Sequence, residues 1–173
     1  EGTHIAEIGL LTEAGAIAVT DADSTVASAL IMRRCLTYAA NFDALVIAHA
    51  EDPALSAAGH MNEGAFAARL GLGGIPPAAE AITVERDMRL VQLSGARYHL
   101  GQVSCEPALA AIAQARRNGL PVTCSVSAHH LLLNENDVGE YRTFAKVSPP
   151  LRGEERSEEH TSELQSPCNL VCR

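Results

Sequence analysis

The chain has 173 residues, 47% of them hydrophobic but only 3% aromatic, with no Trp and a formal net charge of −8. This profile suits an ordinary domain with a core of modest side chains, or part of a larger one. It excludes a nucleic-acid or anionic-membrane surface, which needs clustered Lys and Arg. No apolar run approaches the roughly 20 residues that span a bilayer. The opening Glu1-Gly2-Thr3-His4 has neither an initiator Met nor a charged-then-apolar leader, so an internal piece of a cytoplasmic protein is expected.

In chain order, Gly15 to Thr20 is an apolar run of strand length that leads through the polar residues 21–24 into a helical pattern. The helix is predicted from about Thr25 to Asn41, with Val26, Leu30, Ile31, Cys35 and Tyr38 on its apolar face. Ala44 to Ala48 is a second buried strand, closed by His49-Ala-Glu-Asp52 and Pro53. A loop-rich region with Gly59, Gly64 and Gly71-Leu-Gly-Gly74 follows. Pro76-Pro77 then opens a helix that runs to about Ser94 and ends at Gly95. Arg97 to Val103 reads as a strand, Pro107 to Asn118 as a helix capped by Gly119, and Pro121 to Ser127 as a further strand.

Alternating strands and helices with continuous apolar strands imply an α/β fold with parallel strands covered by helices. An open doubly wound sheet and a barrel both fit. No GxGxxG fingerprint or phosphate loop follows any strand, which removes the usual signature of nucleotide binding and favours the barrel. In parallel barrels the functional groups sit where strands end, and here those ends carry Asp21, His49, Gln102 and Ser127-Ala-His-His130. A metal site could be assembled from such separated positions. The plainer reading of His49 is a polar strand-end residue bonded to a loop, and neighbours such as His129 and His130 on an extended chain point opposite ways. Cys35, Cys105, Cys124, Cys168 and Cys172 form no CxxC pair and read as free thiols.

Several separate motifs then occur in a telling order: Val46-Ile-Ala-His-Ala-Glu-Asp52, Met61-Asn-Glu-Gly64, Ala68-Arg-Leu-Gly-Leu72, Gly74-Ile-Pro76, Glu85-Arg-Asp87, Val126-Ser-Ala-His-His-Leu-Leu-Leu133 and Lys146-Val-Ser-Pro-Pro-Leu-Arg152. Together they resemble the middle of a bacterial dihydroorotase over most of Gly9 to Arg152. The resemblance implies about the middle half of a (β/α)8 TIM-type barrel of the amidohydrolase kind. In active members zinc activates water for reversible opening of the dihydroorotate ring in pyrimidine synthesis.

Active relatives take metal ligands from the second Asp of T-D-D-G, the His of H-x-E-D and the His of H-V-S-T. His49 matches the second motif. The first falls on Thr20-Asp21-Ala22-Asp23 and the third on Gln102-Val-Ser-Cys105, so Ala22 and Gln102 occupy degenerate ligand positions and His49 is a vestigial one. Asp21 or Asp23 are possible substitute ligands. His99 is expected to face away from Gln102 and to pack under the helices, because side chains alternate along a strand. Zinc prefers imidazole, thiolate and carboxylate to a neutral amide.

Ligand loss within a retained framework resembles the noncatalytic dihydroorotase-like subunits that accompany aspartate carbamoyltransferase, as do Leu100 to Cys105 and Arg33 to Tyr38. The resemblance therefore implies no catalytic residues and no cofactor. It also implies a structural role in an oligomeric assembly with the aspartate carbamoyltransferase catalytic subunit. An active zinc dihydroorotase with rearranged ligands is the alternative. Residues 1–155 are read as the central part of the barrel. Residues 156–173 resemble the translation of a DNA-sequencing adapter and are expected to be a non-native tail.

Overall fold

The computed structural model describes residues 4–153, so the tail expected at 156–173 lies outside the described residues. A four-stranded parallel sheet in the order β1-β2-β5-β6 organises the chain, made of Ala18–Thr20, Leu45–His49, Tyr98–Gly101 and Val122–Cys124. The strands follow chain order across the sheet without reversal. The register sets Val46, Tyr98 and Val122 in one row and Ile47, His99 and Thr123 in the next.

The two rows meet different surroundings. Val46, Tyr98, Leu100, Val122 and Cys124 are buried in one core with Met32, Leu36, Val84, Met88, Val91, Leu109 and Ile112. These partners come from α2 (Ala29–Ala40), α5 (Pro77–Ser94) and α6 (Glu106–Arg117). Leu45, Ile47 and His99 are half-buried on the other face, and Thr123 is exposed. Helices thus cover one face alone among the described residues. A doubly wound sheet would carry them on both, whereas a barrel keeps its second face for the lumen.

The helix boundaries have local causes. The helix predicted from Thr25 begins only at Ala29, because Thr25 is bound to the end of β2. Its hydroxyl donates to the His49 carbonyl at 2.9 Å and accepts from the Glu51 N–H at 3.1 Å. Ser28 then caps α2 by accepting from Ile31 N–H. Gly95 closes α5 in the left-handed conformation (φ 69°), which costs glycine little.

The region read as loop-rich holds more structure. Helices α3 (Pro53–Ser56) and α4 (Ala65–Leu70) flank a two-stranded parallel sheet, β3 (Met61–Asn62) with β4 (Gly74–Ile75). Helix α1 (Ile8–Glu13) precedes β1, and α7 (Ala128–Leu132) follows β6. Met61, Ala67, Val138, Ala145 and Leu151 form a second, smaller core under this lobe. Two 3-10 turns, Glu135–Val138 and Thr143–Ala145, lead into a chain segment that ends at Arg152, in which the Ser148–Pro149 peptide is cis.

Candidate functional site at the strand ends

A cavity of about 590 Å³ opens at the carboxyl ends of the main strands. Its lining includes Ala22, Asp23, His49, His99, Gln102 and Ser125. A second cavity, about 370 Å³ and mostly apolar, lies beside the edge of β1 that is unpaired among the described residues. Asp21 and His49 both reach its wall. The strand-end positions singled out in the sequence are therefore neighbours in space, except that Asp21 faces away from the cavity that Asp23 and Gln102 share.

His49, only 8% exposed, ends β2. Its Nε2 lies 3.1 Å from Ser148 Oγ, and that hydroxyl donates to Glu51 Oε2 at 3.3 Å. The imidazole is thus bonded to a loop side chain drawn from 99 residues further along the chain. Ala22 and Gln102 are both exposed, and both hold left-handed backbone, with φ 60° and φ 61°. Non-glycine residues seldom adopt this conformation, and functional sites are where it clusters.

His99 departs from expectation. It lines the strand-end cavity with Gln102 instead of packing under the helices. Tyr98 and Leu100 take the helix-facing positions, so alternation turns His99 inward. Strand β5 stops at Gly101, and the left-handed turn at Gln102 interrupts the alternation that would have separated the two residues. His99 Nδ1 meets Thr123 Oγ1 at 2.8 Å, and its Nε2 meets Ser125 Oγ at 3.2 Å.

His129 and His130 also differ, lying in α7 and not on extended chain. His130 Nε2 is 2.9 Å from the Pro149 carbonyl and Nδ1 is 2.7 Å from Ser127 Oγ. A carbonyl can only accept, so Nε2 carries the hydrogen and Nδ1 accepts from the serine. Burial pushes this imidazole below its ordinary pKa, and the Pro149 bond opposes the shift. Among the cysteines, burial and then the charge of Glu80 push the Cys105 thiol up to about 12, which makes it inert.

A buried polar network missed in the sequence lies beside the cavity. Arg152 and Glu80 are 5% and 1% exposed, with Arg152 Nη2 at 3.3 Å from Glu80 Oε2. Arg152 Nε donates to Ser104 Oγ at 3.0 Å, and Nη1 donates to Asn62 Oδ1 at 3.1 Å and to the Ile75 carbonyl at 3.2 Å. Ser104 donates both its hydroxyl and its N–H to the Glu80 carboxylate. The turn carrying Gln102 is thereby held to α5, the small sheet and the C-terminal segment. The signal for it was the Ser-Pro-Pro-Leu-Arg run itself, where a charged residue follows two prolines.

The three positions that the family motifs mark as ligand sites, Ala22, His49 and Gln102, do not by themselves make a zinc centre. Catalytic zinc takes three protein ligands from imidazole, thiolate or carboxylate. The aligned positions here supply one imidazole, a methyl group and a neutral amide. No group of three or more His, Cys, Asp or Glu residues able to hold a metal ion occurs among the described residues. No described helix is long and apolar enough to cross a membrane.

Residues 1–107 match the protein family described as Dihydro-orotase-like. The chain is 48% identical over 155 residues to a dihydroorotase of Desulfotalea psychrophila, covering 90% of this chain and 37% of that protein. A dihydroorotase of Syntrophobacter fumaroxidans is 48% identical over 153 residues, covering 88% and 35%. The chain thus spans a little over a third of the length of the curated relatives it matches. Among solved structures, the L-hydantoinase (dihydropyrimidinase) of Arthrobacter aurescens superposes with a TM-score of 0.78 at 21% identity, covering 96% of this chain and 39% of that one. A D-hydantoinase gives 0.77 at 23% identity, covering 95% and 38%. These likenesses show that the chain folds as part of a barrel of the kind found in the hydantoinases.

Proposed function

The chain belongs to the dihydroorotase-like family, and from that premise we propose that it forms the central part of a noncatalytic barrel serving as a cytoplasmic structural subunit for aspartate carbamoyltransferase. The observation that carries this reading is the pair Ala22 and Gln102. Both stand on left-handed backbone at the ends of β1 and β5, where a ligating side chain would enter the shared cavity, and neither offers one. The frame around them, from the Arg152 network to the bonds of His49, is closely hydrogen-bonded. A barrel that has lost its metal chemistry but kept its shape still presents its outer helices to a partner.

A second reading is favoured by the relatives, since proteins 43–48% identical to this chain are named dihydroorotase. In that case Asp23, or Asp21 after a loop shift, would join His49 and ligands from other strands. Zinc would then supply a Lewis acid that activates water. Purification of the full-length protein decides between the two. The structural reading expects negligible zinc by elemental analysis, no turnover of carbamoyl aspartate, and co-purification with aspartate carbamoyltransferase. Stoichiometric zinc with turnover would establish the enzyme instead.

A further inference from the structure

Residues 148–152 run over the strand ends as a strap, held at three places. The Pro149 carbonyl accepts from His130, Arg152 is buried in its network, and Ser148 Oγ lies between His49 Nε2 and Glu51 Oε2. Pro149 and Pro150 are fully buried between these fastenings. The fastening at Ser148 can be resolved by counting protons. A serine hydroxyl has one hydrogen, and here it goes to the Glu51 carboxylate. The contact with His49 then requires that Nε2 carry a hydrogen and donate it to the serine oxygen. In that tautomer the nitrogen facing the strap has no lone pair for a cation.

We propose that His49 is the anchor of this strap, a hydrogen-bond donor to Ser148, and that the His49–Ser148–Glu51 chain holds the strap over the strand ends in place of a metal centre. The inference rests on the noncatalytic reading of the same site and gives the surviving histidine a reason to be there. Ser148 and Glu51 act as positioning residues, because they fix the tautomer and the ring.

The test uses the full-length protein. Ring 15N spectra of labelled histidine should show His49 protonated at Nε2, unchanged when zinc is added to the solution. Hydrogen exchange should report docking of the strap through Leu151, Arg152 and Glu135, whose N–H donates to the Arg152 carbonyl at 2.9 Å. Ser148→Ala should speed exchange there by about three- to tenfold, the scale of one net hydrogen bond. His49→Gln should do the same, the double variant should add little, and Ser148→Thr, which keeps the hydroxyl, should restore protection. Unchanged exchange in Ser148→Ala would overturn the proposal while leaving the noncatalytic reading intact if zinc and turnover are still absent. Loss of the Nε2 hydrogen on zinc addition would overturn both.

Discussion

Replacing Arg152 by Met tests whether the buried network carries the joint between the two cores. Arg152 reaches four groups on four parts of the chain: Ser104 after β5, Glu80 on α5, Asn62 on β3 and the Ile75 carbonyl on β4. Methionine fills much of the same volume but leaves the Glu80 carboxylate, 1% exposed, without a counter-charge. It also takes a donor from three neutral acceptors, Ser104 Oγ, Asn62 Oδ1 and the Ile75 carbonyl. Breaking one side of a buried ion pair costs about 3–5 kcal/mol, and each orphaned polar group alone costs about 1–3 kcal/mol. A loss of about 4 kcal/mol is therefore expected. With a urea m-value near 3 kcal/mol per M, the unfolding midpoint of the full-length protein should fall by about 1 M or more. The double variant Arg152→Met with Glu80→Gln should lose less than the sum of the two single changes, because no uncompensated charge remains. A single Arg152→Met variant within about 1 kcal/mol of the parent, or strict additivity, would refute the assignment.

Asp87 is 1% exposed and accepts from the Tyr98 hydroxyl at 2.8 Å and Arg86 Nε at 2.9 Å. Burial nonetheless raises its pKa from the ordinary 3.8, outweighing Arg86. The native state then holds the proton more tightly than the unfolded one, so stability should fall as pH rises from about 4 through the folded pKa, and Asp87→Asn should flatten that fall in pH-dependent denaturation. His130 has the opposite sign: its depressed pKa means the unfolded state takes up protons first, so stability should drop as pH falls below 6.5. His130→Gln should weaken that acid dependence in the same titration. At Gly73 a Cβ would run into the Ala58 carbonyl, so Gly73→Ala should destabilise the small lobe by about 1–3 kcal/mol, read as a lowered melting temperature. The 173-residue chain expressed by itself should aggregate, because β1 and β6 each have one unpaired edge among the described residues; a monodisperse, cooperatively unfolding monomer in sedimentation would contradict this.

Regular elements were legible where a periodic pattern was long enough to be read. Helix α5 runs from Pro77 to Ser94 and stops at Gly95, as proline at a helix start and glycine past its end require. Strand β2 follows its apolar run to within a residue. The two-residue strands β3 and β4 were invisible, since two residues carry no period. Helix α1, six residues long, was missed for a similar reason. The site was legible in its strand-end positions, His49, Gln102 and Ala22, which the fold brings to neighbouring walls. It was misread at His99, where strict alternation was carried one residue past the end of the strand.

The sequence alone determined the α/β alternation, the family and the side chains present at the aligned ligand positions, because periodicity and side-chain chemistry are local properties. Only the tertiary structure decided that helices cover one face of the sheet, that His99 turns inward, and that Arg152 is buried among four other parts of the chain. It also decided what His49 touches. Ser148 lies 99 residues away along the chain, and no local pattern encodes a bond across that distance; the bond exists because the strap returns over the ends of the strands.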